Sequence, residues 1–197
     1  MTAVGTGTAT VRVGVSGHRA HASPKAEVAG LVDDVLDGVG PSGRVVSSLA
    51  EGADRVVVER ALDRGWPVDV VLPLAPDDYE GDFGDAASRA SFRRLLAAAA
   101  SVEQVDARPT RDEAYLAAGL AVLDRSDAVV VVWDGAAGRG VGGTADIVGE
   151  ARARSLPLAW IRVQRDPVAA ATGAVPPARE RAGSSPTLTV ERWPWAR

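Results

Sequence analysis

The 197-residue chain contains no cysteine, which excludes disulfides, thiolate zinc sites and a cysteine nucleophile. Lysine is almost as scarce: Lys25 is the only one, and arginine carries the remaining positive charge, the bias of a GC-rich genome. The two histidines, His18 and His21, share one turn with no third ligand at a usual metal spacing, so neither a metal nor a cofactor is expected. Long apolar runs are missing. The longest, 95–100 and 128–133, fall far short of the ~20 residues that a membrane span needs. Residues 1–10 lack the basic and apolar regions of a signal peptide, so a cytoplasmic protein with no membrane partner is expected. Basic residues are outnumbered, 22 against 26 acidic ones, for a net charge of −4. That balance argues against a nucleic-acid partner, which normally needs a basic face.

What is present is ordinary globular material, 46% hydrophobic and 24% charged, at a length that suits one domain. Strand and helix patterns alternate, the mark of βαβ units and a largely parallel sheet. Strands are expected at 11–16, 45–49, 68–74, 127–133 and 158–163, with short additions at 101–105 and 187–190. Between them, helical spacing of apolar residues (Val28, Leu31, Val32, Val35 and Leu36, for example) predicts helices. Ser23 and Pro24 supply a cap and a first-turn proline, Thr110 caps a later helix, and Thr144 opens the last one. The run 127–133 is the most apolar and reads as a central strand covered on both faces. The fold class is therefore α/β: a Rossmann-like, doubly wound, mainly parallel sheet of five to seven strands with helices on both faces. Its expected limits are 11–164, after a flexible start at 1–10. Residues 165–197 read as a Pro/Ala-rich connector and a C-terminal edge segment.

Open α/β sheets bind ligands outside the carboxyl ends of their strands, where strand order reverses. Four segments follow strand ends here. The glycine-rich stretch 135–143 leads into a helix, and Gly142, Gly143 and Thr144 would offer backbone N–H groups and a hydroxyl to a phosphate; a plain surface connection with a capping threonine is the competing reading. After the first strand, Ser16, Gly17, His18 and Arg19 point polar groups at the crevice, with Arg19 as the anion clamp; His18 equally suits tying the turn to a carbonyl. After the second strand come Glu51, Gly52 and Asp54, with Glu51 placed to accept from ribose hydroxyls and Asp54 suited to serving the helix start. Tyr79, Asp82 and Phe83 lie on a long polar loop, where an aromatic could stack on a base or anchor a solvated loop. Tyr115 reaches the site from the helix before the central strand, and Asp134 ends that strand.

Taken together, Val15-Ser-Gly-His-Arg19, Ser48-Leu-Ala-Glu-Gly-Ala-Asp54, Asp78-Tyr79 with Asp82-Phe83, Ala114-Tyr-Leu-Ala-Ala-Gly119, and Val132-Trp-Asp-Gly with Gly142-Gly-Thr-Ala-Asp146 resemble the SLOG superfamily. That group joins the SMF (DNA-processing protein A) family and the LOG nucleotide phosphoribohydrolases. The resemblance runs from about 11 to 163 and implies a Rossmann-like domain that binds nucleotides or nucleotide-derived ligands. The segment 126–135 followed by Gly143-Thr144-Ala145 is also similar to nucleoside deoxyribosyltransferases. Those enzymes and the LOG enzymes carry a catalytic glutamate three residues after the Gly-Thr threonine, and this sequence has Ile147 there. Asp146 and Asp134 are the carboxylates that could stand in.

Three functions follow, in order of preference. The first is a sensor or binding domain for a small nucleotide-like ligand, its phosphate on the glycine-rich loop. The second is a nucleoside 5′-monophosphate N-glycosidase or a deoxyribosyltransferase-like enzyme using Asp146 or Asp134. The third, single-stranded DNA binding like the SMF branch, is placed last because of the acidic balance. A homo-oligomer is implied by the LOG resemblance alone.

Overall fold

The computed structural model describes residues 10–138, 141–166 and 184–195. Residues 1–9 of the flexible start expected at 1–10 and most of the expected connector, 167–183, lie outside the described residues, as do 139–140 of the glycine-rich stretch. Seven strands form one sheet: β1 (Val11–Gly17), β2 (Gly43–Ser47), β3 (Val68–Leu72), β4 (Ser101–Gln104), β5 (Ala128–Trp133), β6 (Leu158–Arg162) and β7 (Thr187–Glu191). The helices between them are α1 (Lys25–Val39), α2 (Ala53–Asp63), α3 (Pro76–Glu80), α4 (Ala86–Ala97), α5 (Arg111–Asp124) and α6 (Thr144–Ala153). The spatial order is β4-β3-β2-β1-β5-β6-β7. Every pairing is parallel except β6–β7, so β7 is an antiparallel edge.

Side-chain alternation explains the two layers. Val13, Val15, Val130, Val132, Ala159 and Ile161 face one core with α1, α2 and α4. Val129, Val131, Trp133 and Leu158 face the other, against α5 and α6. Both faces are covered, so all six residues of β5 are buried and its sequence is apolar without alternation. In α1, Val28, Val32, Val35 and Leu36 form the buried stripe. Trp66 lies over Gly43, where a Cβ would come within 2.5 Å of its ring. Trp193 is buried, and Trp195 packs on the same core. Among the described residues, no helix is long and apolar enough to cross a membrane.

Some local expectations are corrected. Pro24, not Ser23, takes the N-cap position of α1; the Ser23 hydroxyl instead accepts from the Gln164 amide at 3.0 Å and donates to the Ser184 carbonyl at 3.1 Å. Gly143 is the N-cap of α6, and Thr144 is its first helical residue. The polar loop after β3 contains the short helix α3, started by Pro76. Its aromatics are anchors: Tyr79 and Phe83 are buried with Phe92, ring centroids 5.0–5.7 Å apart. Thr110 caps α5 as expected, and Glu113 completes a capping box with it.

Strands β2, β3 and β4 run out to one side of β1, and β5, β6 and β7 to the other. Strand order therefore reverses between β1 and β5. The turns that leave those two strands border a crevice at the carboxyl end of the sheet.

Candidate functional site

The crevice encloses about 320 Å³. Its wall includes Val15, Ser16, Gly17, His18 and Arg19 from the end of β1, Asp54 from α2, Tyr115, Ala118 and Gly119 from α5, and Trp133 from β5. Gly138, Gly142, Gly143, Thr144 and Ile147 close it from the α6 side, and Arg165 from beyond β6. The β1 turn and the glycine-rich segment thus face one cavity.

Close backbone packing sets this geometry. Gly17 has no room for a side chain: a Cβ would stand 2.5 Å from the Ala53 Cβ and 2.6 Å from the Val132 carbonyl oxygen. The His18 amide donates to that same carbonyl at 2.9 Å, and the Ala53 amide donates to the His18 carbonyl at 3.1 Å. Gly52, at φ 76°, lies under the carbonyls of His18 and Arg19. Gly52 is therefore a joint between the first two turns, outside the cavity wall. On the far side, Gly142 at φ 82° rests on α5, where a Cβ would meet the Asp112 carbonyl at 2.9 Å.

The acids named from sequence are mostly engaged with protein. Asp54 is buried and accepts from the Ser47 hydroxyl at 2.8 Å and the Ser48 amide at 3.1 Å, so it ties down the turn after β2 and makes no cap bond at the start of α2. Burial pushes its carboxyl up to about 6. Glu51 is not part of the cavity wall; buried, it accepts from Arg19 Nη2 at 3.2 Å and from the Ser88 hydroxyl. It positions Arg19. A second Arg19 bond runs to the Asp82 carbonyl at 3.1 Å, and its Nε is covered with no partner. The Asp82 carboxylate accepts from the Tyr115 hydroxyl and from Arg111 Nη1 at 3.0 Å, behind the wall that Tyr115 forms. Burial, reinforced by that carboxylate, raises the Tyr115 phenol above its ordinary range. Tyr79 touches the crevice, but its ring is buried in the aromatic cluster and has no face to offer a base.

Asp134 Oδ1 lies 3.0 Å from His18 Nε2, and Oδ2 lies 2.6 Å from Arg165 Nε. The Asp134 amide also points at His18 Nε2, at 3.2 Å. One ring nitrogen thus faces a donor and an acceptor, so a neutral ring accepts from the amide and a protonated one donates to the carboxylate. Burial lowers the His18 imidazole despite its carboxylate neighbour. Burial also opposes the Asp134 charge, but the Ala136 amide, His18 and Arg165 outweigh it and hold that carboxyl below its ordinary range. Asp146 is exposed and outside the cavity wall, its Oδ2 accepting from the Gly142 amide at 2.8 Å. At the position of the family glutamate, Ile147 is buried and presents an apolar wall against Gly119. Both carboxylates proposed as catalytic stand-ins are therefore occupied in holding the scaffold. Arg165, Arg55 and Ser88 complete the polar framework. Arg55 lies 4.4 Å over the Phe83 ring and donates to the Leu49 carbonyl and to Ser88. Nothing local in the sequence marks these three, because their partners are distant in the chain.

The architecture matches solved structures of DNA processing protein A. The protein from Streptococcus pneumoniae aligns with a TM-score of 0.54 at 20% identity, over 76% of this chain and 49% of that one. The Helicobacter pylori protein, described for its unique single-stranded DNA binding mode, aligns with a TM-score of 0.52 at 20% identity, over 75% of this chain and 63% of that one. The fold is that of these DNA processing protein A structures. No family model matches the sequence, and no curated protein does. The chain spans about half to under two-thirds of the length of these structures.

This finding corrects two expectations: a free nucleotide-like ligand as the partner (sensed, or cleaved by a glycosidase or transferase), and the placing of single-stranded DNA last. The structural neighbours are DNA-processing proteins, one of them described as binding single-stranded DNA. Net charge is a sum without positions, a weak ground for ranking that partner last. Some of the acid is paired with arginine on α1 and α2, as Asp33 is with Arg60 and Arg64 and Glu59 is with Arg94. The crevice wall carries Arg19, His18 and Arg165 beside the acid Asp54, with Arg19 paired to Glu51 and Arg165 to Asp134.

Proposed function

We propose that this domain binds single-stranded nucleic acid, one nucleotide unit of the strand entering the crevice between β1 and β5. The observation that carries the reading is the convergence of Arg19 and Arg165 on a cavity that also receives the first turn of α6. The N–H groups of a first turn have no intrahelical partners, and they favour an anion. A volume of about 320 Å³ is at the small end of ligand sites, room for one unit and not for a folded strand. Ala118, Gly119, Trp133 and Ile147 give the base an apolar wall. A cytoplasmic location accords with this partner.

The test is fluorescence anisotropy with a labelled oligodeoxythymidylate. Two phosphate contacts on a single strand give a log–log salt slope of about −1.4, so affinity falls roughly sevenfold between about 50 and 200 mM salt. Arg19→Gln should weaken binding and flatten that slope by about 0.7. Absence of oligonucleotide binding at low salt, or an unchanged slope in Arg19→Gln, would overturn the proposal.

A further inference from the structure

Behind the β1 turn, one carboxylate serves two guanidinium groups. Glu51 is buried, and its Oε2 accepts from Arg19 Nη2 at 3.2 Å. Its Oε1 accepts from the Ser88 hydroxyl. That hydroxyl in turn accepts from Arg55 Nη1 at 2.8 Å, so Glu51 and Arg55 stand one hydroxyl apart, with no direct ion pair between them. The two arginines differ in commitment. Arg55, buried on α2 and outside the crevice wall, is fixed by its bonds to the Leu49 and Ser88 carbonyls and by the Phe83 ring 4.4 Å away. Its Nη2 is nevertheless covered with no partner among the described residues, a rare state for a buried donor. Arg19 borders the crevice and is held through Nη2 alone, which donates to Glu51 and to the Asp82 carbonyl.

We infer that Arg55 is a positioning residue for strand binding: when Arg19 leaves Glu51 for a phosphate in the crevice, Arg55 Nη2 takes its place on Glu51. The inference rests on the single-strand reading of the crevice. A phosphate must win Arg19 from a carboxylate, and a carboxylate buried without a cation is strongly disfavoured. Arg19 is therefore released only if another cation receives Glu51. Arg55 is already joined to Glu51 through Ser88, and Nη2 is the donor it has not committed. The exchange gives that donor its acceptor. It also leaves one guanidinium for the one carboxylate behind the wall, where the free protein holds two.

The experiment measures oligothymidylate affinity by anisotropy in wild type, Glu51→Gln, Arg55→Gln and the double variant. Arg55→Gln should bind at least about tenfold more weakly, the fold-change of one charge-assisted hydrogen bond, although residue 55 lies outside the crevice wall. In the Glu51→Gln background no carboxylate is left bare, so the same substitution should leave affinity unchanged. Equal losses in the two backgrounds would mean that Arg55 acts on the scaffold, and overturn the exchange. So would an Arg55→Gln that binds like wild type. If Arg55→Gln does not fold, side-chain ¹⁵N spectra of wild type decide. The Arg55 guanidinium signals should move together with those of Arg19, at one affinity, as oligothymidylate is added. Arg55 signals that stay in place while those of Arg19 move overturn the exchange and leave the crevice reading standing. A wild type that binds no oligonucleotide overturns both.

Discussion

Replacing Gly52 by alanine strikes the joint between the turns that leave β1 and β2. The residue holds φ 76° and ψ −115°, a conformation open to glycine and costly to others, at about 1–3 kcal/mol. The new methyl would also run into the carbonyl oxygens of His18 and Arg19, which are backbone and cannot swing away. Forcing a methyl into such a site adds about 1–3 kcal/mol. If the turns separate, the bond from the Ala53 amide to the His18 carbonyl is lost, worth about 0.5–1.5 kcal/mol. A combined loss of about 4 kcal/mol is a large share of the 5–15 kcal/mol typical of a domain, and lowers Tm by about 8–16 °C at this size. Gly65→Ala is the control. That residue also has positive φ, 71°, but a Cβ there meets nothing within 4 Å, so it costs about 1–2 kcal/mol. Urea or thermal denaturation of both variants measures the difference. Equal destabilisation by the two would refute the claim that the β1 and β2 turns are locked at Gly52.

Other perturbations test the site's charges. Glu51→Gln should lower stability by about 1–2 kcal/mol, since the buried carboxylate loses its charge-assisted bond from a half-exposed Arg19, yet tighten oligonucleotide binding by freeing Arg19; loss of affinity in anisotropy would show that Glu51 does more than hold that arginine. Asp54, raised to about 6 from an ordinary 3.8, keeps its proton in the folded state over a window where the unfolded chain has lost it. Its contribution is thus full below about pH 4 and lost as pH rises to 6; urea titrations should find the stability of wild type relative to Asp54→Asn falling across that window, and a flat difference would count against the assignment. His18 and His21 act with the opposite sign. Burial lowers both below the ordinary 6.5, so the unfolded chain takes up protons first, and their contribution rises as pH climbs toward 6.5 from below. His18→Gln should flatten that part of the profile, and an unaltered slope would remove His18 from the account.

The sheet was largely legible. β-branched runs alternating with helical spacing define a parallel sheet, and the unbroken apolar stretch of β5 marks a strand covered on both faces. Because ligand sites in such sheets form at strand ends, the segments holding Ser16, Gly17, His18, Arg19, Gly142, Gly143 and Thr144 could be named, and they do border one crevice. What stayed hidden depends on tertiary contacts. Tyr79 reads as a loop aromatic until α3 turns it onto Phe92. Glu51 and Asp134 read as ligand acids until arginines at 19 and 165 are folded against them. The Asp146 side chain reads as a reactive carboxylate until its bond to the Gly142 amide appears. Net charge is a weak guide to the partner, because a paired acid on α1 or α2 counts as much as an arginine in the crevice.

The central claim is that a nucleic-acid strand contacts the protein where β1 and β5 diverge. Backbone amide shifts in a ¹⁵N-labelled sample titrated with a short oligothymidylate test it most directly. The account predicts the largest shifts at Gly17, His18 and Arg19 together with Gly143, Thr144 and Ala145, moving in step at one affinity. Shifts confined to another surface, such as the open edge of β4, or no shifts at saturating oligonucleotide, would contradict it.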